Sequence, residues 1–180
     1  FQDFATAPHV MVGGETGAGK SVLVRSMLAS LFELAPQNET EIVVCYCKVS
    51  ADFAAFKDRP NLWQGRIVSD AEEAAEILSS FADEMDKRYR LMEYGAKDIA
   101  EVPQSARPKY TVIVIDELAD LIDVSSDAEG HLVRLAQKAR SAGMYLLLAT
   151  QRPDAKTLSG RLRDNLPTKI ALKTGKRQSS

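Results

Sequence analysis

A mainly parallel α/β sheet with helices on both faces is the fold class this sequence predicts. Tyr110-Thr111-Val112-Ile113-Val114-Ile115 and Met144-Tyr145-Leu146-Leu147-Leu148-Ala149 are near-continuous apolar runs. Such runs suit strands buried on both sides. Segments with apolar residues at helical spacing lie between the runs, so strands and helices alternate. The turn Gly14-Glu15-Thr16-Gly17-Ala18-Gly19-Lys20-Ser21 joins the first strand to the first helix. It fits the phosphate-loop pattern G-x-x-x-x-G-K-[ST] at every specified position.

Each element follows from local chemistry. Residues 1–8 form a lead-in. His9-Val10-Met11-Val12-Gly13 is a short buried strand, and a helix runs from Ser21 to about Leu34. Ala35-Pro36-Gln37-Asn38-Glu39 is a turn before a second strand at about 41–47. Residues 66–68 form a further short strand. Ser69, with Glu72 three residues on, is a capping box that opens a long helix. Ile77, Leu78, Phe81, Met85, Tyr89 and Met92 give that helix one core-facing stripe, and Gly95 ends it. A polar, proline-bearing connection at 102–108 precedes the strand 110–115. A helix at 128–141 is stopped by Gly143, and the strand from Met144 ends in Thr150-Gln151. Ile170-Ala171-Leu172 is the last strand. Leu158-Ser159-Gly160-Arg161 resembles the signature of ABC-type ATPases, but it follows the strand that ends in Asp116-Glu117, and Arg161 stands where a further glycine usually follows. It reads as a turn.

Composition sets bounds. A chain of 180 residues fits one domain with a well-buried core, and 45% hydrophobic with 27% charged residues is ordinary for a globular protein. No apolar run approaches the roughly 20 residues of a membrane span. Cys45 and Cys47 lie two apart on one strand, poorly placed to bond each other. Two unpaired cysteines suit a reducing cytosol. The net charge is −2, but residues 151–180 carry eight basic and two acidic residues, a local +6. That asymmetry implies a polyanion-facing surface on one side.

The chemistry concentrates at three places. Glycines in the loop let backbone N–H groups of residues 14–21 wrap a polyphosphate. Lys20 can reach the β- and γ-phosphates of ATP, and the Ser21 hydroxyl can ligate Mg²⁺. Asp116 follows an apolar strand, where ligands of open α/β sheets bind, and can hold the same magnesium. Glu117 supplies a second carboxylate that can polarise an attacking water. Gln151 ends the next strand and can touch the γ-phosphate or that water. Arg140 lies on the helix between these strands. A guanidinium there can stabilise a transferring phosphoryl group, although spacing alone favours a solvated arginine.

Several motifs in order now agree. The chain resembles the RecA-like motor of the FtsK/SpoIIIE family of DNA translocases. The matching pieces are 8–21, Glu84-Met85-Asp86-Lys87-Arg88-Tyr89-Arg90-Leu91-Met92, Val114-Ile115-Asp116-Glu117-Leu118-Ala119-Asp120-Leu121, 135–143 and Leu148-Ala149-Thr150-Gln151-Arg152-Pro153. The resemblance implies a RecA-like P-loop NTPase that forms a homo-oligomeric ring, usually hexameric, and drives double-stranded DNA through its centre. It places Arg140 at the family's arginine finger. It puts Arg152, Lys156, Lys173, Lys176 and Arg177 toward the DNA, on phosphates rather than bases. Many members carry Asp-Pro-Lys after the second strand, whereas this chain reads Tyr46-Cys47-Lys48. Asp52-Phe53 looks more like conjugation-associated relatives. The family core extends beyond the equivalent of Ser180, so residues 1–180 are expected to be a fragment of one motor domain. The parent is expected to be a membrane-anchored bacterial protein with this part in the cytoplasm. Two other functions fit the same residues: an ATPase driving protein export, as in type VII secretion, and a nucleotide-dependent assembly module without turnover.

Overall fold

The computed structural model describes residues 8–47, 52–93, 95–152 and 158–173. Among the described residues five strands form one parallel sheet: β1 (His9–Gly13), β2 (Thr40–Cys45), β3 (Tyr110–Ile115), β4 (Met144–Thr150) and β5 (Thr168–Ala171), in the order β2-β3-β4-β1-β5. Among the described residues five α-helices accompany it: α1 (Lys20–Leu34), α2 (Ala71–Met92), α3 (Leu118–Val124), α4 (Ala128–Lys138) and α5 (Gly160–Asp164).

Alternate residues of each central strand serve opposite faces, as the two-residue repeat of a strand requires. Val10, Val12, Ile42, Val44, Val112, Val114, Leu147 and Ala149 pack with Val24, Leu28 and Phe32 of α1. Met11, Val43, Ile113, Ile115, Leu146 and Leu148 pack with α2, α3, α4 and α5 on the other face. Double-sided burial is why these strands read as unbroken apolar runs. The α2 stripe packs as its spacing predicts: Ile77, Leu78, Phe81, Met85 and Met92 are buried, and Tyr89 sits at the rim of that core. No helix among the described residues is long and apolar enough to cross a membrane.

Some local expectations change. Asp70, not Ser69, caps α2, accepting the Glu73 N–H at 2.8 Å. Residues 66–68 do not form a strand. Only Val68 bridges to Cys45, giving its N–H to Val44 O at 2.9 Å. The segment read as a turn at 158–161 opens α5, with Ser159 as its cap. Helix α4 stops at Lys138 and a turn carries 139–143 into β4.

His9 begins β1 almost fully buried, at 1% exposure, and its Nδ1 accepts the Leu146 N–H at 3.2 Å. Burial pushes its pKa down to about 4. Below pH 6.5 the unfolded chain takes up a proton that the folded chain refuses. This contribution to stability is therefore complete above pH 6.5 and declines by about 1.4 kcal/mol per pH unit as pH falls toward the folded value. Urea unfolding at stepped pH should show that slope. His9→Asn, which keeps an acceptor near Nδ1 without a titrating ring, should lack it.

Candidate functional site

The loop after β1 is shaped by two kinds of glycine. Gly17 and Gly19 have φ of 80° and 90°, the left-handed region that side chains resist. Gly14 is limited by space, because a Cβ there would lie 2.9 Å from Leu172 Cβ. Gly13 is in register with Thr150, and Gly14 N–H donates to Thr150 O at 3.2 Å. The loop closes on itself where Ala18 N–H donates to Glu15 O at 3.0 Å. Helix α1 begins at Lys20 with no side-chain cap and no acid in its first turn. The N–H groups of that turn therefore remain available to an anion, with the helix dipole favouring negative charge.

Three adjacent strands, β3, β4 and β1, bring their carboxyl ends together here. Lys20 is only 4% exposed. Its Nζ donates to the Asp116 carbonyl and lies 3.6 Å from Asp116 Oδ1 and 3.5 Å from Glu117 Oε2. A buried ammonium is costly to desolvate, and two carboxylates beside it offset that cost. Glu117 Oε1 accepts from Thr150 Oγ1 at 2.9 Å and from Gln151 N–H at 3.1 Å. The Gln151 side chain turns back to the loop, accepting from Thr16 Oγ1 at 2.5 Å. Thr16, Gln151, Glu117 and Lys20 thus form a closed polar circuit that starts and ends on the phosphate loop.

The sequence pairs Thr150 with Gln151 as the polar end of a strand but gives it no role of its own. Thr150 is fully buried, positions Glu117 and accepts the Arg152 N–H at 3.0 Å. A polar residue closing an apolar strand beside the acidic one is the signal that could have found it.

Negative potential surrounds the end of β2. Burial, then repulsion from Asp120, Asp70, Asp116 and Glu72, pushes the Cys47 thiol up to about 11, and burial pushes Cys45 up to about 12. Raised values of this kind keep both thiols protonated near neutral pH, which weakens them as nucleophiles.

A magnesium ion fits the donors present. Ser21 offers a half-buried hydroxyl in the first turn of α1, and Asp116 a carboxylate on a residue 1% exposed. Hard oxygen donors in small number suit Mg²⁺, which takes its remaining ligands from phosphates and water. Among the described residues no group of three or more His, Cys, Asp or Glu could hold a metal ion by itself.

Other predicted residues lie elsewhere. Arg140 is exposed in the turn before β4, at the amino-terminal edge of the sheet. The length of β4, at about 3.3 Å per residue, puts that turn roughly 20 Å from the phosphate loop. Arg152 is exposed immediately after Gln151. Lys173 lies beside the loop itself, its carbonyl accepting the Glu15 N–H at 3.3 Å. Lys156, Lys176 and Arg177 lie outside the described residues.

The chain as a whole resembles known proteins. The FtsK/SpoIIIE family matches the chain over residues 1–109 and 98–155. DNA translocase FtsK of Helicobacter pylori is 36% identical over 181 residues, covering 96% of this chain and 21% of its own length. DNA translocase SftA of Bacillus subtilis is 36% identical over 178 residues, covering 94% of this chain and 18% of its own. The chain therefore spans about a fifth of these relatives. Among solved structures, the pCW3 conjugation coupling protein TcpA, in a monomer form with ATPγS, superposes with a TM-score of 0.82. The two share 28% identity, covering 97% of this chain and 51% of TcpA. The cytoplasmic domain of the type VII secretion ATPase EccC of Thermomonospora curvata gives 0.77 at 25% identity, covering 93% of this chain and 21% of that one. The architecture is that of a RecA-like P-loop NTPase, and the chain belongs to the FtsK/SpoIIIE family.

Proposed function

We propose that this chain is the motor core of an ATPase that moves double-stranded DNA, working as a homo-oligomeric ring of six subunits. The observation that carries this reading is the circuit linking Thr16, Gln151, Glu117 and Lys20 across three strand ends. A phosphate loop alone needs only its lysine and backbone. This one is wired to a carboxylate held by the next strand, as hydrolysis requires.

Each residue then has a task. Gly14, Glu15, Thr16, Gly17, Ala18 and Gly19 enclose the phosphates with backbone N–H groups. Lys20 exchanges its carboxylate neighbours for the β- and γ-phosphates. Ser21 and Asp116 would hold magnesium, which would offset charge on those phosphates. Glu117 takes a proton from the attacking water, with Thr150 and the Gln151 N–H fixing its direction. Gln151 links the loop at Thr16 to the segment that follows β4, so hydrolysis is reported toward Arg152. Arg140, too far from the site of its own subunit, completes that of a neighbour. Arg152, Lys156, Lys173, Lys176 and Arg177 contact DNA phosphates without reading sequence. The motor works on the cytoplasmic side, where ATP is supplied, as one part of a longer, membrane-anchored chain.

DNA is the favoured cargo because relatives at 36% identity are named DNA translocases. The likeness to the type VII secretion ATPase EccC favours protein as a second reading. ATPase assays on the full-length oligomer decide between them. Duplex DNA should stimulate turnover. Raising salt from 50 to 200 mM should weaken DNA binding by about 10³-fold if roughly six phosphates are contacted. Indifference to DNA, with stimulation by a secreted peptide, would transfer the assignment to protein export.

A further inference from the structure

Helix α2 carries a charged side chain that is almost fully buried. Arg88 is 2% exposed and sits at the amino-terminal edge of the sheet, away from the phosphate loop. Its guanidinium donates on three sides: Nε to Glu84 Oε1 at 3.2 Å, Nη2 to Thr111 Oγ1 at 2.9 Å and Nη1 to the Ala142 carbonyl at 3.1 Å. Thr111 passes the network on, donating to Glu41 Oε1 at 2.9 Å. The next residue, Tyr89, donates its hydroxyl to the Lys138 carbonyl at 2.7 Å. Consecutive residues of α2 therefore grip the turn between α4 and β4 at both ends.

The rest of that turn is equally fixed. Ile99 N–H donates to Ser141 O at 2.8 Å, Thr111 N–H to Gly143 O at 2.9 Å and Gly143 N–H to Arg140 O at 2.9 Å. Gly143 has φ of 70°, and a Cβ there would lie 2.7 Å from Ile99 Cγ2. Ala139 and Ala142 are fully buried, whereas Arg140 between them is exposed. Joining a helix to a strand does not require a buried guanidinium. It suits holding one exposed side chain at a set height, because reacting geometry tolerates errors of only about half an ångström.

We infer that Arg88, seconded by Tyr89, is a positioning residue for Arg140. It locks the turn so that the Arg140 guanidinium projects with a fixed reach toward the nucleotide of the neighbouring subunit. This rests on the reading above that Arg140 works across a subunit interface.

The test uses the full-length oligomer. Arg88→Met should lower kcat by about 10²-fold, the cost of a misplacement near 1 Å, while equilibrium ATP affinity stays at the wild-type value. A nucleotide site with a misplaced finger should recover beside Lys20→Ala subunits, which still supply a well-placed Arg140. It should not recover beside Arg140→Ala subunits. A merely structural role would not produce this asymmetry. Tyr89→Phe keeps the buried charges and the ring in place, so it answers the question even should Arg88→Met not fold. It should show the same pattern with a fall of about 3- to 10-fold. Wild-type kcat in both variants would overturn the inference. So would a joint loss of ATP affinity and kcat that Lys20→Ala subunits do not restore. Arg140→Ala measured alongside separates the two levels. Full turnover in Arg140→Ala overturns the shared site and this inference together. Its loss, with Arg88→Met and Tyr89→Phe both normal, overturns this inference alone.

Discussion

Glu117→Gln should bind ATP and hydrolyse it about 10²- to 10⁴-fold more slowly, the range a positioned acid–base group contributes. The substitution is chosen for what it leaves intact. The amide oxygen still accepts from Thr150 Oγ1 and the Gln151 N–H, so the side chain keeps its direction. It loses the ability to take a proton, and the charge that sits 3.5 Å from Lys20 Nζ. Removing that negative charge also relieves repulsion of the triphosphate, so affinity should be equal or tighter. Single-turnover hydrolysis with equilibrium binding on the same preparation separates the two effects. Near-normal turnover would remove Glu117 as the residue that activates water.

Arg140→Ala should lose about 10³- to 10⁵-fold in turnover, as expected for a guanidinium that stabilises phosphoryl transfer from a neighbouring subunit. The proposed role calls for a neighbour because of the geometry. Arg140 leads into Met144, whereas the phosphate loop meets the other end of the same strand at Thr150. Lys20→Ala subunits should be inactive for the complementary reason, having the arginine but no phosphate lysine. Mixing the two inactive proteins should restore turnover, at up to about a quarter of the interfaces in a randomly filled head-to-tail ring. Failure to regain activity in any mixture would contradict the shared site.

The sequence disclosed the sheet because its central strands are buried on both faces and carry no polar alternation to confuse them. Lys20, Asp116 and Glu117, which the structure brings together, stand out because each follows an apolar strand at a set spacing, the lysine after β1 and the acids after β3. What the sequence hid depends on packing or on close competition. Ser69 and Asp70 are both good caps with a glutamate three residues on, and only the Asp70 bond to Glu73 N–H decides between them. Helix α3 is short and begins directly after Glu117, so the acids that mark the site also mask its start. Helix α5 has five residues, too few to show a period. Thr150 gains its role from the register of β4 against β1 and from Glu117 arriving on β3. Arg88 sits within a segment whose apolar stripe reads as core. Its burial follows from the approach of Thr111 and Ala142, which come from distant parts of the chain.

The central claim is that a triphosphate is gripped between the lysine-bearing loop and the paired acids. Equilibrium titration of Mg·ATP into the full-length, oligomerised protein, wild type beside Lys20→Ala, tests it most directly. Saturable binding by the wild type that Lys20→Ala largely abolishes is the predicted result. No binding by the wild type, or equal binding by both proteins, would contradict the account.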